Sequence, residues 1–391
     1  MIDDAIVLGV KHAALNVDLA GLIDPSGRPD SFEFGSEGTE CRFRRGAVES
    51  LDRQCKALTD AGAVVTFILL NYKNSDERVS KITLHPKYDS SCPNHLSAFN
   101  TVTTEGRNYF RTAIEFLAQR YSRADGRFGR VWNYIVGNEV NSHWFWCNMG
   151  RVSMSEFADD YLQAVRITHG AVRRHSRNAR VYVSLEHHWN IRYPGGDAQQ
   201  TFPARPFLEY MARRSQEEGD FDWHIAFHPY PENLFNPRTW LDKSATTNDD
   251  TPRITFKNLE MLPKFLRKPK MTFQGVARRV ILSEQGFHTL ASPDGEDLQA
   301  AAYCYAYFKS AHTEGIDAFI LHRHVDHGME GGLRLGLWSR KEKSASPSEP
   351  LNKKRIYDVF RMADTSDWEN TFRFALPIIG IRSWDEILPP R

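Results

Sequence analysis

Two glutamates, Glu139 and Glu284, occupy the same kind of position in the chain. The stretch VWNYIVGNEVNSHWFW (131–146) opens as a buried strand through Val131, Tyr134, Ile135 and Val136, then runs into Gly137, Asn138 and Glu139. The stretch RRVILSEQGFHT (278–289) does the same, passing from Val280, Ile281 and Leu282 to Ser283, Glu284, Gln285 and Gly286. A carboxylate at the end of an apolar run is costly to desolvate, so a pair of them asks for a chemical reason. Cleavage of a glycosidic bond supplies one. It needs one carboxyl group to carry a proton to the leaving oxygen and a second to attack the sugar or activate water. The two glutamates are 145 residues apart. In a parallel α/β barrel that separation does not matter, because every strand ends on one rim and active sites form there.

The elements that must position them are legible as alternation. Strand-like apolar runs occur at 12–17, 63–71, 131–138, 179–186, 221–228, 278–284 and 317–323. Helical spacing separates them: Leu51, Cys55 and Leu58, closed by Gly62; Phe110, Ile114, Leu117 and Tyr121; Phe157, Tyr161, Ala164, Val165 and Val172; Leu298, Ala302, Tyr305 and Phe308. The third of these helices begins with a capping-box pattern, Ser153 and Glu156. Near-continuous apolar strands alternating with amphipathic helices predict an α/β fold with a parallel sheet covered on both faces. The reading is a single (β/α)8 TIM barrel over 1–391 with long rim loops and an uncertain first strand. The segment 5–10 fits either a short first strand or the tail of a first helix ending at Gly9. Two excursions stand out. The polar insertion 71–101 follows a strand and is expected to shape the site, with Asn71 as a candidate contact. The segment 341–354 reads as a solvated loop. Gly328–Gly336 matches neither dinucleotide nor phosphate-loop spacing and reads as a flexible loop at the site edge.

With GNEV (137–140), HPY (228–230) and LSEQG (282–286) in this order on successive strand ends, the sequence resembles the clan A glycoside hydrolases from about His12 to Trp338. Those are (β/α)8 barrels with an acid/base glutamate after Asn on strand four and a nucleophilic glutamate ending strand seven. The phrases GVKHAALNV (9–17) and VGNEVNSHW (136–144) resemble, more narrowly, an uncharacterised bacterial family of glycoside-hydrolase-like proteins. The resemblance implies a retaining hydrolase acting on a polysaccharide or oligosaccharide without metal or organic cofactor. Glu139 would be the general acid and then base, its proton retained through burial or the charge of Glu284. Glu284 would be the ionised nucleophile. Asn138 would donate to the sugar 2-hydroxyl, Tyr230 would hydrogen-bond Glu284, and His228 would support the acid/base side. The carboxyl groups would lie ~5–5.5 Å apart. One departure is the strand-eight end. Where many clan members carry a Trp floor, this chain has LHRHVDHG (321–328), so Trp338 is the candidate substitute; the usual Arg near strand two is not evident either.

Histidines crowd the proposed rim, with His187 and His188 in LEHHWN (185–190) and His322 and His324 in the segment just quoted. One reading is a metal-dependent barrel hydrolase with His187 and His228 as zinc ligands, although the expected His-x-His of strand one is represented only by His12. A second is recognition of an anionic glycan, a uronate or sulfated sugar, by His143, His187, His322, Arg323 and Arg334. A third is a structural hydrogen-bond network beneath the site. Trp144 and Trp146 are assigned to the cleft, since rim loops are mostly exposed and aromatic faces stack on sugars. Ser184 and Ser283 lack a GxSxG elbow, which argues against a serine hydrolase. A carbohydrate-binding barrel without catalysis is the alternative outside enzymes.

Composition narrows the partners. The net charge of +1 gives no reason to expect nucleic acid or an anionic membrane surface. Five cysteines without a CxxC pair are neither a disulfide framework nor a zinc ribbon, and Cys55 and Cys304 fall on apolar helix faces. The start, MIDDAIVLGV, has no basic region of a secretory signal, and no apolar run reaches transmembrane length. The chain therefore reads as soluble, either cytoplasmic as it stands or trimmed from a secreted protein.

Overall fold

The computed structural model describes residues 1–388. In chain order the strands are β1 (His12–Asp18), β2 (Phe32–Ser36), β3 (Thr39–Phe43), β4 (Val64–Leu70), β5 (Val131–Val136), β6 (Arg180–Glu186), β7 (Trp223–His228), β8 (Val280–Leu282), β9 (Ile316–Phe319), β10 (Trp338–Arg340) and β11 (Pro350–Lys353). Seven of them form one sheet in the order β1-β4-β5-β6-β7-β8-β9, with every neighbouring pair parallel. Each predicted strand is present. The physical reason is plain in β4, VVTFILL, which is buried along almost its whole length and so needs no polar alternation.

The sheet is curled. Inward side chains Ile68, Leu70, Ile135, Tyr182, Ala226, Ile281 and Ala318 pack in one interior cluster, joined by Ala14 from the opposite edge strand β1. The expected eighth strand is missing among the described residues: β9 and β1 do not pair, and segment 5–10 is not a strand. It holds the end of a helix, Ile2–Val7, followed by a turn in which Gly9 takes φ +71°. Asp3 and Asp4 in the first turn suit the positive helix N-terminus. Asp4 also anchors the helix to the segment after β9, accepting from Trp338 Nε1 at 2.8 Å and Tyr357 OH at 2.9 Å and pairing with His324 Nε2 at 2.6 Å.

Helices cover the outer face as the spacing predicts. Arg45–Asp60 buries Val48, Leu51, Cys55 and Leu58, and Met154–His175 starts at Ser153, whose side chain accepts from the Glu156 backbone. Of the excursions, 71–101 contains a helix, Glu77–Thr83, and folds back through bridges from Tyr72 to Leu96 and Leu84 to Phe99. The segment 341–354 is not wholly loop: β11 pairs antiparallel with β10. The five cysteines are all buried and unpaired. No helix among the described residues is long and apolar enough to cross a membrane.

Candidate active site

Three strand ends carry the chemistry. After β5 the backbone turns sharply, with Gly137 at φ +74° and Glu139 at φ 40°, ψ 51°, a left-handed conformation unusual for a residue with a side chain. A side chain at Gly137 would press on Val140 and Cys147. The turn is held by the Glu139 N–H, which donates to Ser184 Oγ of β6 at 2.9 Å. After β8, Gly286 lets the chain pass the strand-nine end: a Cβ there would lie 2.1 Å from the His322 carbonyl oxygen. Glu284 is thereby set beside Glu139.

An oxygen of Glu139, a ring nitrogen of His228 and an oxygen of Glu284 all lie within 4.8 Å of one another. His228, at the end of β7, shares a 2.9 Å hydrogen bond with Glu139 Oε1 through Nδ1 and a 3.0 Å bond with Ser283 Oγ through Nε2. Tyr230 OH donates to Glu284 Oε1 at 3.2 Å. The environments push the two carboxyl groups apart. Burial raises Glu139 above the ordinary carboxyl range, and the charges of Glu284 and Glu186 add to that, while its bond with His228 opposes it. Glu284 is part-buried, and desolvation works against its charge, but the charges of His322 and His228 and the Tyr230 hydroxyl outweigh this and hold it below that range. Two adjacent carboxyls of split acidity are what proton donation by one and attack by the other require.

Both line a cavity of about 460 Å³. Trp146, His187 and His322 line it too, and the loop 328–336 contributes Met329, Glu330, Leu333 and Leu335. His187 is 7 % exposed, its Nδ1 has no partner, and burial depresses it to about 3. His322 Nε2 pairs with Glu330 Oε1 at 2.9 Å.

Other candidates lie elsewhere. His143 is fully buried between the rings of Phe157 and Phe202 with Nε2 on the Gln199 carbonyl, so it supports the loop instead of a ligand. Trp144 is buried outside the cavity, with Arg151 over its ring. Asn71 is buried and donates to the Thr83 and Ala98 carbonyls, tying down its own excursion. Trp338 is no cavity floor; its indole is committed to Asp4 and its ring packs on Tyr357. Arg323 is ion-paired with Glu330 and does not line the cavity, and neither does Arg334, so the anion-binding expectation loses both guanidinium groups. Asn138 sits next to Glu139, half-buried, outside the cavity lining and without a side-chain hydrogen bond among the described residues.

The sequence reading passed over Glu186, yet the same signal marks it: it ends β6 as Glu139 and Glu284 follow β5 and β8. It is 6 % exposed and lines the cavity. Oε1 accepts from Asn141 Nδ2 at 2.6 Å and Ser142 Oγ at 3.1 Å, and Oε2 accepts from the His188 backbone at 2.8 Å and pairs with His188 Nδ1. Burial works against its ionisation, but these bonds and the neighbouring histidines hold it at about 2. Arg253 Nη2 faces His188 Nε2 at 3.2 Å and closes this chain of contacts. Glu186, His187 and His188 lie close enough to suggest a metal site, as do Glu139, His228 and Glu284. Their donors do not fit one well: both nitrogens of His228 and both oxygens of Glu186 already have partners. Phe145, Tyr193, Pro194, Glu232 and Leu234 also line the cavity, from the loops that follow β5, β6 and β7.

Residues 1–387 match a family described as "Family of unknown function (DUF5722)". No curated protein matches the chain in sequence. Among solved structures it is similar to a family 39 glycoside hydrolase from the gut symbiont Bacteroides cellulosilyticus WH2, with TM-score 0.56 and 14 % identity, over 93 % of this chain and 59 % of that one. The chain thus spans less than two thirds of that enzyme's length. It is also similar to a β-glucosidase from Pyrococcus furiosus, with TM-score 0.57 and 15 % identity over 96 % and 86 % of the two chains. A family 1 β-glucosidase from Thermotoga maritima gives TM-score 0.57 and 13 % identity over 92 % and 84 %. At these identities the likeness is one of fold, that of the TIM-barrel glycosidases.

Proposed function

We propose that this chain, which belongs to the family of unknown function DUF5722, is a glycoside hydrolase that retains anomeric configuration, with Glu139 as acid/base and Glu284 as nucleophile. The observation that carries the reading is that an oxygen of Glu139 and an oxygen of Glu284 lie within 4.8 Å of each other in one cavity. Such an approach suits a retaining pair, whose carboxyl groups stand closer together than those of inverting enzymes.

In the first step a Glu284 oxygen bonds to the anomeric carbon as the bond from that carbon to the leaving oxygen breaks. The Glu139 proton passes to the leaving oxygen. In the second step the Glu139 carboxylate takes a proton from water, the water oxygen bonds to the anomeric carbon, and the ester to Glu284 breaks. Each supporting residue has a part. Tyr230 holds the attacking oxygen, and His228 orients Glu139 from below. Glu186 keeps a fixed negative charge nearby, which favours the protonated form of Glu139. The free Nδ1 of His187 and the free, buried Oε2 of Glu330 are left to meet sugar hydroxyls.

The test is a screen of aryl glycosides followed through two variants. Glu284→Gln should abolish turnover. Glu139→Ala should cut turnover of substrates with poor leaving groups by on the order of 10²–10⁴-fold; with activated aryl glycosides, which need no acid to leave, added azide should restore turnover by attacking the glycosyl-enzyme and give a glycosyl azide of retained configuration. An inverted first product by proton NMR, or an active Glu284→Gln variant, overturns the assignment. Hydrolysis itself separates the enzyme from a binding barrel of the same shape.

A further inference from the structure

We infer that the leaving group of the substrate is apolar: the site is shaped to cleave glycosides of hydrophobic alcohols or phenols in preference to bonds between two sugars. The inference rests on the glycosidase reading above and names the substrate class of that same cavity.

The cavity lining has two chemically different parts. One is polar and includes Glu139, Glu284, His187, His188, His322 and Glu330; the other is aliphatic. Outward along the loop 328–336, exposure rises from Leu335 at 2 % to Met329 at 80 %, with Leu333 partly buried between them, and Leu234 at 38 % faces the same space from the loop after β7. Sugars are held by hydrogen bonds to their hydroxyls and by flat aromatic faces. Trp146, Phe145 and Tyr193 offer flat faces elsewhere in the lining, but Leu234, Met329, Leu333 and Leu335 offer neither. A second sugar ring seated there would lose water from its hydroxyls without gaining partners. An alkyl or aryl group would instead cover apolar surface already bordering the reacting bond.

Two other polar groups of the lining are committed. Glu232 accepts from the Lys243 and Ser244 backbones at 2.9 and 2.8 Å and also from Ser244 Oγ. Arg253 donates to Ser244 Oγ at 2.9 Å and faces His188. The mouth itself stays apolar on its outside. Tyr193, Leu234, Phe235 and Met329 expose 37 %, 38 %, 49 % and 80 % of their surface, from three separate loops. Phe235 packs edge-on to His288 and stands against the Gly332 turn of the same loop. Apolar side chains gathered around one opening mark a binding surface.

The experiment compares methyl and octyl glycosides of glucose, galactose, mannose, xylose and fucose, both anomers, with the corresponding disaccharides. The wild type is read by kcat/KM, and Glu284→Gln by calorimetric binding below the micelle concentration. For the sugar that is accepted, octyl should exceed methyl by at least about tenfold, against a ceiling of about fourfold per methylene fully buried. It should also exceed the disaccharides. In the double variant Leu234→Ser, Met329→Ser, which alters only partly or fully exposed side chains, the octyl-to-methyl ratio should collapse toward one. Cleavage with a flat ratio, or with disaccharides preferred, overturns this inference and leaves the glycosidase reading standing. Octyl glycosides that bind but are cleaved at neither anomer overturn both.

Discussion

The backbone N–H of Glu139 donates to the side-chain oxygen of Ser184 at 2.9 Å, joining the turn after β5 to the middle of β6. Glu139 needs that bond because its backbone is left-handed, and Ser184 is fully buried, so no water can replace the hydroxyl. Ser184→Ala should therefore lower kcat by about tenfold with KM changed less than twofold, and reduce stability by roughly 1–3 kcal/mol for the stranded N–H. Steady-state kinetics and thermal unfolding check both; an unchanged kcat would show that the turn holds itself.

The acidity split predicts a bell-shaped pH profile for kcat/KM, with Glu284 setting the acidic limb and Glu139 the alkaline one. Tyr230→Phe removes a donor to the Glu284 carboxylate. The ionised form loses stabilisation, so the acidic limb should move to higher pH while the alkaline limb stays. Movement of the alkaline limb alone would reverse the two roles.

Glu186→Gln tests the third carboxylate. Removing its charge relieves Glu139 of a repulsion, so the alkaline limb should fall to lower pH. A stability effect accompanies it. The folded acidity of Glu186, about 2, lies below the ordinary carboxyl value near 4.5, so its contribution is complete above the latter and lost as pH falls through that window. Melting curves of the variant should lack this part of the acid dependence. Identical slopes for variant and wild type between pH 5 and pH 2, about the window concerned, would remove Glu186 from the account.

Buried neutral histidines predict a second acid sensitivity. Burial depresses His143 and His169 to about 4 and His187 and His224 to about 3. The unfolded chain binds these protons near the ordinary value of ~6.5, so stability is complete above that and declines as pH falls toward the folded values. Unfolding midpoints in urea should be flat above pH ~7 and drop below ~6.5. His143→Phe, a ring of similar size between Phe157 and Phe202, should shallow the decline.

Much of the architecture was legible because a parallel strand buried on both faces writes itself as a near-continuous apolar run, and β4, β5, β6 and β7 do so with one or a few polar residues each. The helices followed from spacing, and Ser153 from its cap. The count of strands was not legible: IDDAIV is apolar enough at Ala5, Ile6 and Val7 to read either way, and its helical outcome depends on Asp4 finding Trp338 and Tyr357, more than three hundred residues later. Proximity to a strand end proved a poor guide to orientation. His143, Trp144 and Trp146 follow one strand within four residues of each other, yet only Trp146 lines the cavity.

What the sequence determined by itself was the set of groups delivered to one rim: Glu139, His228, Tyr230 and Glu284 each stand at or just beyond the end of an apolar run, and in a parallel sheet such positions converge whatever lies between them. What only the tertiary structure decided was which of them touch and which loop side chains join them. Pairing of Ser184 with Glu139 and of Asp4 with Trp338 is chosen by packing between elements distant in the chain, and no local pattern of residues carries that information.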